Sequence, residues 1–358
     1  MIGALAGLLV LLTIILCIAV AIAGIAAAPF SQRLTAAMPP REGLAFRFAI
    51  VTAASTFVLL LIGGTVSATQ SGLACPDWPA CYGSFFPKMD GAVFFEHGHR
   101  LFATLIGALT TLNLVLVWRA KPAGHPARWL AATAFPLVVW QGILGGMTVK
   151  LKLPPAVTTL HLATSMAFFS VLIWGAFRLR PRTEDWPLEP RLRRAIGATA
   201  VLVYLQIVLG ALVRHTHSSL VCTAWPFCKA SGVATMGPLG SAIDDPQIVV
   251  HMAHRSLALV VGAAVILVSL AVLRASTANR LARLLAMVAP GLVVVQIFLG
   301  MMSVMTALDV LTVTSHLGVG ALLLASTVAM FFASSAVTGD LAAPRHASAA
   351  GSPIPETA

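Results

Sequence analysis

Of the 358 residues, 58% are hydrophobic and only 10% are charged. Soluble domains run at roughly 45–50% apolar and about 25% charged, so an ordinary water-soluble fold is excluded. The formal net charge of +11 is no nucleic-acid footprint, because the cations follow the membrane topology set out below.

Apolar runs long enough to cross a hydrocarbon core, about 20 residues as a helix, occur near 2–28, 46–68, 99–118, 129–149, 158–177, 195–213, 248–273, 281–304 and 311–335. The first lacks a charged leading stretch and exceeds the apolar core of a signal peptide, so it reads as a retained helix. Residues 1–44 are then an extra transmembrane helix with a cytoplasmic link. Residues 337–358, rich in Ala, Ser, Gly and Pro without periodicity, read as a disordered cytoplasmic tail. Assigning alternate connections to one side gathers Arg33, Arg41, Arg47, Arg119, Lys121, Arg128, Arg178, Arg180, Arg182, Arg191, Arg193, Arg194, Arg274, Arg280, Arg283 and Arg345 there, 16 of the 23 lysines and arginines. The positive-inside rule makes that side cytoplasmic, with the N-terminus outside and the C-terminus inside a bacterial plasma membrane.

The run at 46–68 carries Gly63 and leads into an outside loop with Cys75-Pro-Asp-Trp-Pro-Ala-Cys81. The next, 99–118, follows Glu96 and opens on His99-Arg100. The third ends in Gln141-Gly-Ile-Leu-Gly-Gly-Met-Thr-Val149, and the fourth carries His161.

The remaining four runs repeat these four. Gly63, Val66, Thr69, Cys75, Trp78, Pro79 and Cys81 recur as Gly210, Val213, Thr216, Cys222, Trp225, Pro226 and Cys228, a shift of 210 − 63 = 147. Past the loop the shift is 254 − 99 = 155: His99-Arg100 recurs as His254-Arg255, the Gln141 segment as Gln296-Ile-Phe-Leu-Gly-Met-Met-Ser-Val304, and His161 as His316. The difference places a loop insertion after Cys228. The fold class is therefore an all-α polytopic membrane protein. It has two tandem four-helix bundles of the same orientation, 45–180 and 194–336, plus the extra N-terminal helix.

His99, His161, His254 and His316 share one depth, near the outer ends of their helices. An ionisable group there marks a functional site by default, although a lone histidine equally serves as an interhelical hydrogen bond. Beside them stand small residues, Ala103, Gly107, Ala163 and Ser165 in the first copy and Ala258, Gly262, Gly318 and Gly320 in the second. They leave room for a flat macrocycle or permit tight helix packing. Zinc wants three or four converging ligands; two histidines in apolar surroundings suit axial ligation of haem iron better. Arg100 and Arg255 are candidate partners of haem propionates. The short Pro-containing loops favour disulfides Cys75–Cys81 and Cys222–Cys228 in an oxidising compartment. Metal binding and a redox role are the alternatives. Only the first copy has a carboxylate, Glu96, one turn before its histidine; the second has His251 there.

Glu96-His-Gly-His99-Arg100, the Gln141 segment, Thr159-Leu-His161, both cysteine pairs, His254-Arg255 and Ser315-His316 together resemble the haem A synthase family from about residue 45 to 335. The resemblance implies oxidation of the C8 methyl of haem O to a formyl group, giving haem A for cytochrome oxidase. It implies a catalytic N-terminal half and a C-terminal half that holds haem b. His99 and His161 would then flank the substrate haem, His254 and His316 would ligate haem b, and Glu96 would be the catalytic carboxylate. Implied partners are a haem O synthase, an electron donor and the lipid bilayer, with a homo-oligomeric state left open. The family's usual eight spans make the extra helix a departure. A dihaem b-type electron-transfer cytochrome shares the histidine pairs but gives Glu96 no role, and a haem transporter or chaperone would need a path across the membrane.

Overall fold

The computed structural model describes residues 35–36, 38–180, 188–224, 228 and 245–334. Among them are eight long helices: α1 Pro40–Ala68, α2 Gly91–Ala120, α3 Pro126–Lys150, α4 Pro155–Leu179, α5 Pro190–His215, α6 Pro246–Arg274, α7 Arg280–Met305 and α8 Val310–Ala333. All eight are long and apolar enough to span a bilayer. The span read at 2–28 and the tail at 337–358 lie outside the described residues.

Each of the other eight spans read from the sequence has its helix, and most begin earlier than hydropathy suggests. Five open with proline in the first turn, where its missing N–H is no loss and its fixed φ suits the helix. The largest shift is in α2, which starts at Gly91 and not at 99. Glu96 and His97 interrupt the apolar run there without interrupting the backbone. α1 likewise reaches back to Pro40, into the segment assigned to the N-terminal link.

The helices close two rings of four. α1 packs on α2 and α4, and α3 on α2 and α4; α5 packs on α6 and α8, and α7 on α6 and α8. The rings meet through α1 with α8, α4 with α5, and α4 with α8, so the repeated helices make repeated contacts. At one seam Leu317 lies against Gly64, where an added Cβ would stand 2.7 Å from its Cδ2. Leu61 lies against Gly318, where the distance would be 2.6 Å. Interlocked leucines and glycines are how helices approach closely in lipid, where burial of apolar surface drives little.

A central cluster with Phe57, Leu61, Phe169, Val265 and Leu324 runs through both rings. Away from the cysteine loops each ring is sealed by its own cluster, Phe46, Val117 and Leu179 in one and Ile196, Val272 and Met330 in the other. Leu105, Leu259, Leu267 and Val294 point outward, as a lipid-facing surface requires. The sealed ends leave the cysteine-loop face as the place for chemistry.

Candidate functional site

His99 and His254 are each the ninth residue of their helices, α2 and α6, and His161 and His316 each the seventh of α4 and α8. Every imidazole is seated on a glycine of the neighbouring helix. An added Cβ would stand 3.0 Å from Cε1 of His99 at Gly63, 3.7 Å from that of His161 at Gly145, 2.9 Å from that of His254 at Gly210 and 3.0 Å from that of His316 at Gly300. The repeat had matched these glycines without assigning them a task. Of the small residues beside the histidines, three serve packing, Gly318 receiving Leu61, Gly262 facing Val293 and Gly320 facing the Gln296 amide, whereas Gly107 has open space beside it.

The rings of His254 and His316 are neighbours in an edge-on arrangement, with centroids 6.5 Å apart and planes at 78°. A metal–imidazole bond of about 2 Å, with a ring radius added on each side, puts the centroids roughly 6 Å apart. The pair therefore fits a single iron between two imidazoles, as haem ligation demands.

The partners of the imidazoles differ between the halves. His316 Nδ1 lies 3.1 Å from the Gln296 carbonyl, a hydrogen bond that leaves Nε2 free to ligate. Gln206 holds the His254 region, donating to its carbonyl at 2.9 Å with the amide 3.1 Å from Nδ1. With its amide nitrogen toward His161, the orientation that satisfies both ends, Gln141 lies 3.1 Å from Nδ1. His99 Nδ1 is buried and has no hydrogen-bond partner among the described residues. Residue 59, matched to Gln206 by the repeat, is a leucine.

Glu96 lies within α2 and is 3% exposed. One carboxylate oxygen accepts from the Cys75 N–H at 2.7 Å, and the other pairs with Arg100. Arg100 also donates to the carbonyls of Asp77 and Ala80, both at 2.7 Å, and of Cys75 at 3.3 Å. Its matched residue Arg255 donates to the carbonyls of Ala224 and Cys222, both at 2.7 Å. Both guanidinium groups, read from the sequence as propionate partners, thus clamp the cysteine loops. His251, in the place of Glu96, has Nδ1 2.7 Å from the Ser218 carbonyl.

Cys75 is bonded to Cys81 and Cys222 to Cys228, with S–S distances of 1.99 and 2.08 Å. Inside the first loop the Asp77 carboxylate accepts from the N–H groups of Tyr82 at 2.6 Å and Gly83 at 2.8 Å. The Gly83 hydrogen bond is the main cause that holds its carboxyl below the usual carboxylate range. His97 reaches the Phe85 carbonyl at 2.9 Å through Nε2 and has a ring nitrogen within 4.8 Å of both first-loop sulfurs. Those sulfurs are spent in the disulfide, so the cluster is not a thiolate metal site.

Residues 46–328 match the COX15-CtaA model, described as a cytochrome oxidase assembly protein. A haem A synthase of Symbiobacterium thermophilum is 36% identical over 205 residues, 53% of this chain and 67% of that protein. Haem A synthases of Shewanella oneidensis and Rhizorhabdus wittichii are 27% and 28% identical, over 78% and 81% of this chain and 93% and 94% of theirs.

Proposed function

The chain belongs to the COX15-CtaA family of cytochrome oxidase assembly proteins, and from that premise we propose that it is a haem A synthase, a multi-pass membrane enzyme that oxidises the C8 methyl of haem O to the formyl group of haem A. The observation that carries the division of labour is the asymmetry of two otherwise matched centres.

In the second half, His254 and His316 stand at the spacing of one iron and both have hydrogen-bond partners near the ring. Two oriented imidazoles suit a retained haem b, which supplies an electron-transfer centre when bound. In the first half, His99 has no such tether, and Glu96 stands one turn before it. A loosely tied ligand suits a haem that arrives as substrate and leaves as product. His99 and His161 then flank the substrate. Glu96, held by Arg100 and the Cys75 N–H, stabilises positive charge or accepts a proton as the methyl carbon is oxidised.

The cysteine-loop face is the outer face of a bacterial plasma membrane, and the C-terminus is cytoplasmic. A haem O synthase supplies the substrate and a separate redox partner the electrons. To test the function, the purified protein is given haem O, reductant and oxygen and its haems are extracted. Haem A beside haem b is the expected result. Haem b alone, with no haem A formed, would reduce the protein to a dihaem electron-transfer cytochrome.

A further inference from the structure

Haem O, the substrate under the reading above, carries two propionate carboxylates. Charges are costly in a bilayer, so a haem held near the cysteine-loop face turns those carboxylates toward that face. Arg100 is already committed to three loop carbonyls and Glu96.

Arg214, near the end of α5, is not. Its Nη2 donates to the Ser67 carbonyl at 2.9 Å, and its buried Nε has no partner among the described residues. Ser67 lies one turn beyond Gly63 on the same face of α1, and Gly63 is the seat of the His99 imidazole. The guanidinium therefore bonds α1 one turn beyond the glycine that seats that imidazole, on the cysteine-loop side. A residue of the second repeat thus reaches the helix that seats an imidazole of the first centre. Its matched position in the first repeat is Ser67, so that position gives the second centre no cation in return.

We propose that Arg214 binds a propionate carboxylate of the haem substrate in the first centre, reaching across from the second repeat. An arginine–carboxylate pair is a charge-assisted hydrogen bond with directional specificity. The catalytic half is then completed by a residue it does not contain.

The test compares haem O with its dimethyl ester, which keeps the macrocycle and removes both carboxylate charges. Full-length protein and its Arg214→Gln variant are titrated by absorbance and assayed for haem A. The unaltered protein should bind the acid about ten- to a hundredfold tighter than the ester, the ratio that one charged hydrogen bond supports. Arg214→Gln should lose most of that preference while binding the ester as before, and its deficit in turnover should fall on KM for haem O more than on kcat. Arg214→Lys keeps the charge without the planar fork and should retain part of the preference; it serves if the glutamine variant does not fold. Equal loss for acid and ester, or a full preference for the acid in both variants, would overturn the proposal. Acid preference that depends on Arg214 in a protein making no haem A would sink the synthase reading and leave this assignment standing.

Discussion

A methyl group added at residue 210 would stand 2.9 Å from Cε1 of His254, closer than side chains tolerate, whereas at residue 145 the same addition makes ordinary contact with His161 at 3.7 Å. Gly210→Ala should therefore turn the His254 imidazole and weaken haem retention in the second half by about ten- to a hundredfold, the usual cost of disturbing what orients a ligand. Gly145→Ala should leave its centre intact. Absorption spectra and haem content of the two purified variants decide it, and equal haem loss in both would remove the seat from the argument. Glu96→Gln keeps the shape but removes the charge that pairs with Arg100, and leaves one acceptor oxygen where the Cys75 N–H and Arg100 need two. Haem should stay bound while haem A formation falls by at least about a hundredfold; full activity would take Glu96 out of the mechanism. The histidines and Glu96 were legible in the sequence because the repeat put four ionisable groups in register and broke the register at one. The seats were not, since a glycine in a membrane helix reads equally as packing. Gly318, two residues from His316, is packing, while Gly300, on the neighbouring helix, is the seat.

Helix ends and loops carry the next level of the design. Hydropathy finds the middle of each span and misses the polar first turns, which is why α2 starts at Gly91 and takes Glu96 into the helix. That backbone geometry lets Glu96 and Arg100, four residues apart, close on one loop from one helix face. The clamp itself was illegible: nothing in a His-Arg pair says whether the guanidinium faces a ligand or a loop carbonyl. Each loop is fastened twice, by an arginine from the following helix and by a disulfide. Of the five cysteines, Cys17 lies outside the described residues, so alkylation of the denatured, unreduced protein should add at most one label. Reduction first should raise that to five, counted by mass. More than one label without reductant would mean that a loop is not closed as described.

Two rings of four helices, each with its histidines at the cysteine-loop end and an apolar seal at the other, make the molecule polar in function as well as in shape. Because each repeat holds an even number of helices, both copies cross the membrane in the same sense and their centres lie at the same face. The contact pattern between rings, α1 with α8 and α4 with α5, pairs the repeats as that symmetry requires. The sealed face carries most of the cations at the helix ends, Arg41, Arg119, Lys121, Arg128, Arg178 and Arg180 among them. Lys121 there is paired with Glu42 at 2.6 Å, which ties α1 to the end of α2. A positive face favours the cytoplasm and disulfides favour an oxidising compartment; the two arguments are independent and support the same proposed orientation. A reporter enzyme active only outside the cell, inserted near residue 85 in the first cysteine loop, should give full signal. Inserted near residue 185, between the repeats, it should give almost none. The reverse pattern would put the disulfide loops in a reducing compartment and the basic ends outside. It would also turn the proposed carboxylate-binding face, with Arg214, toward the cytoplasm.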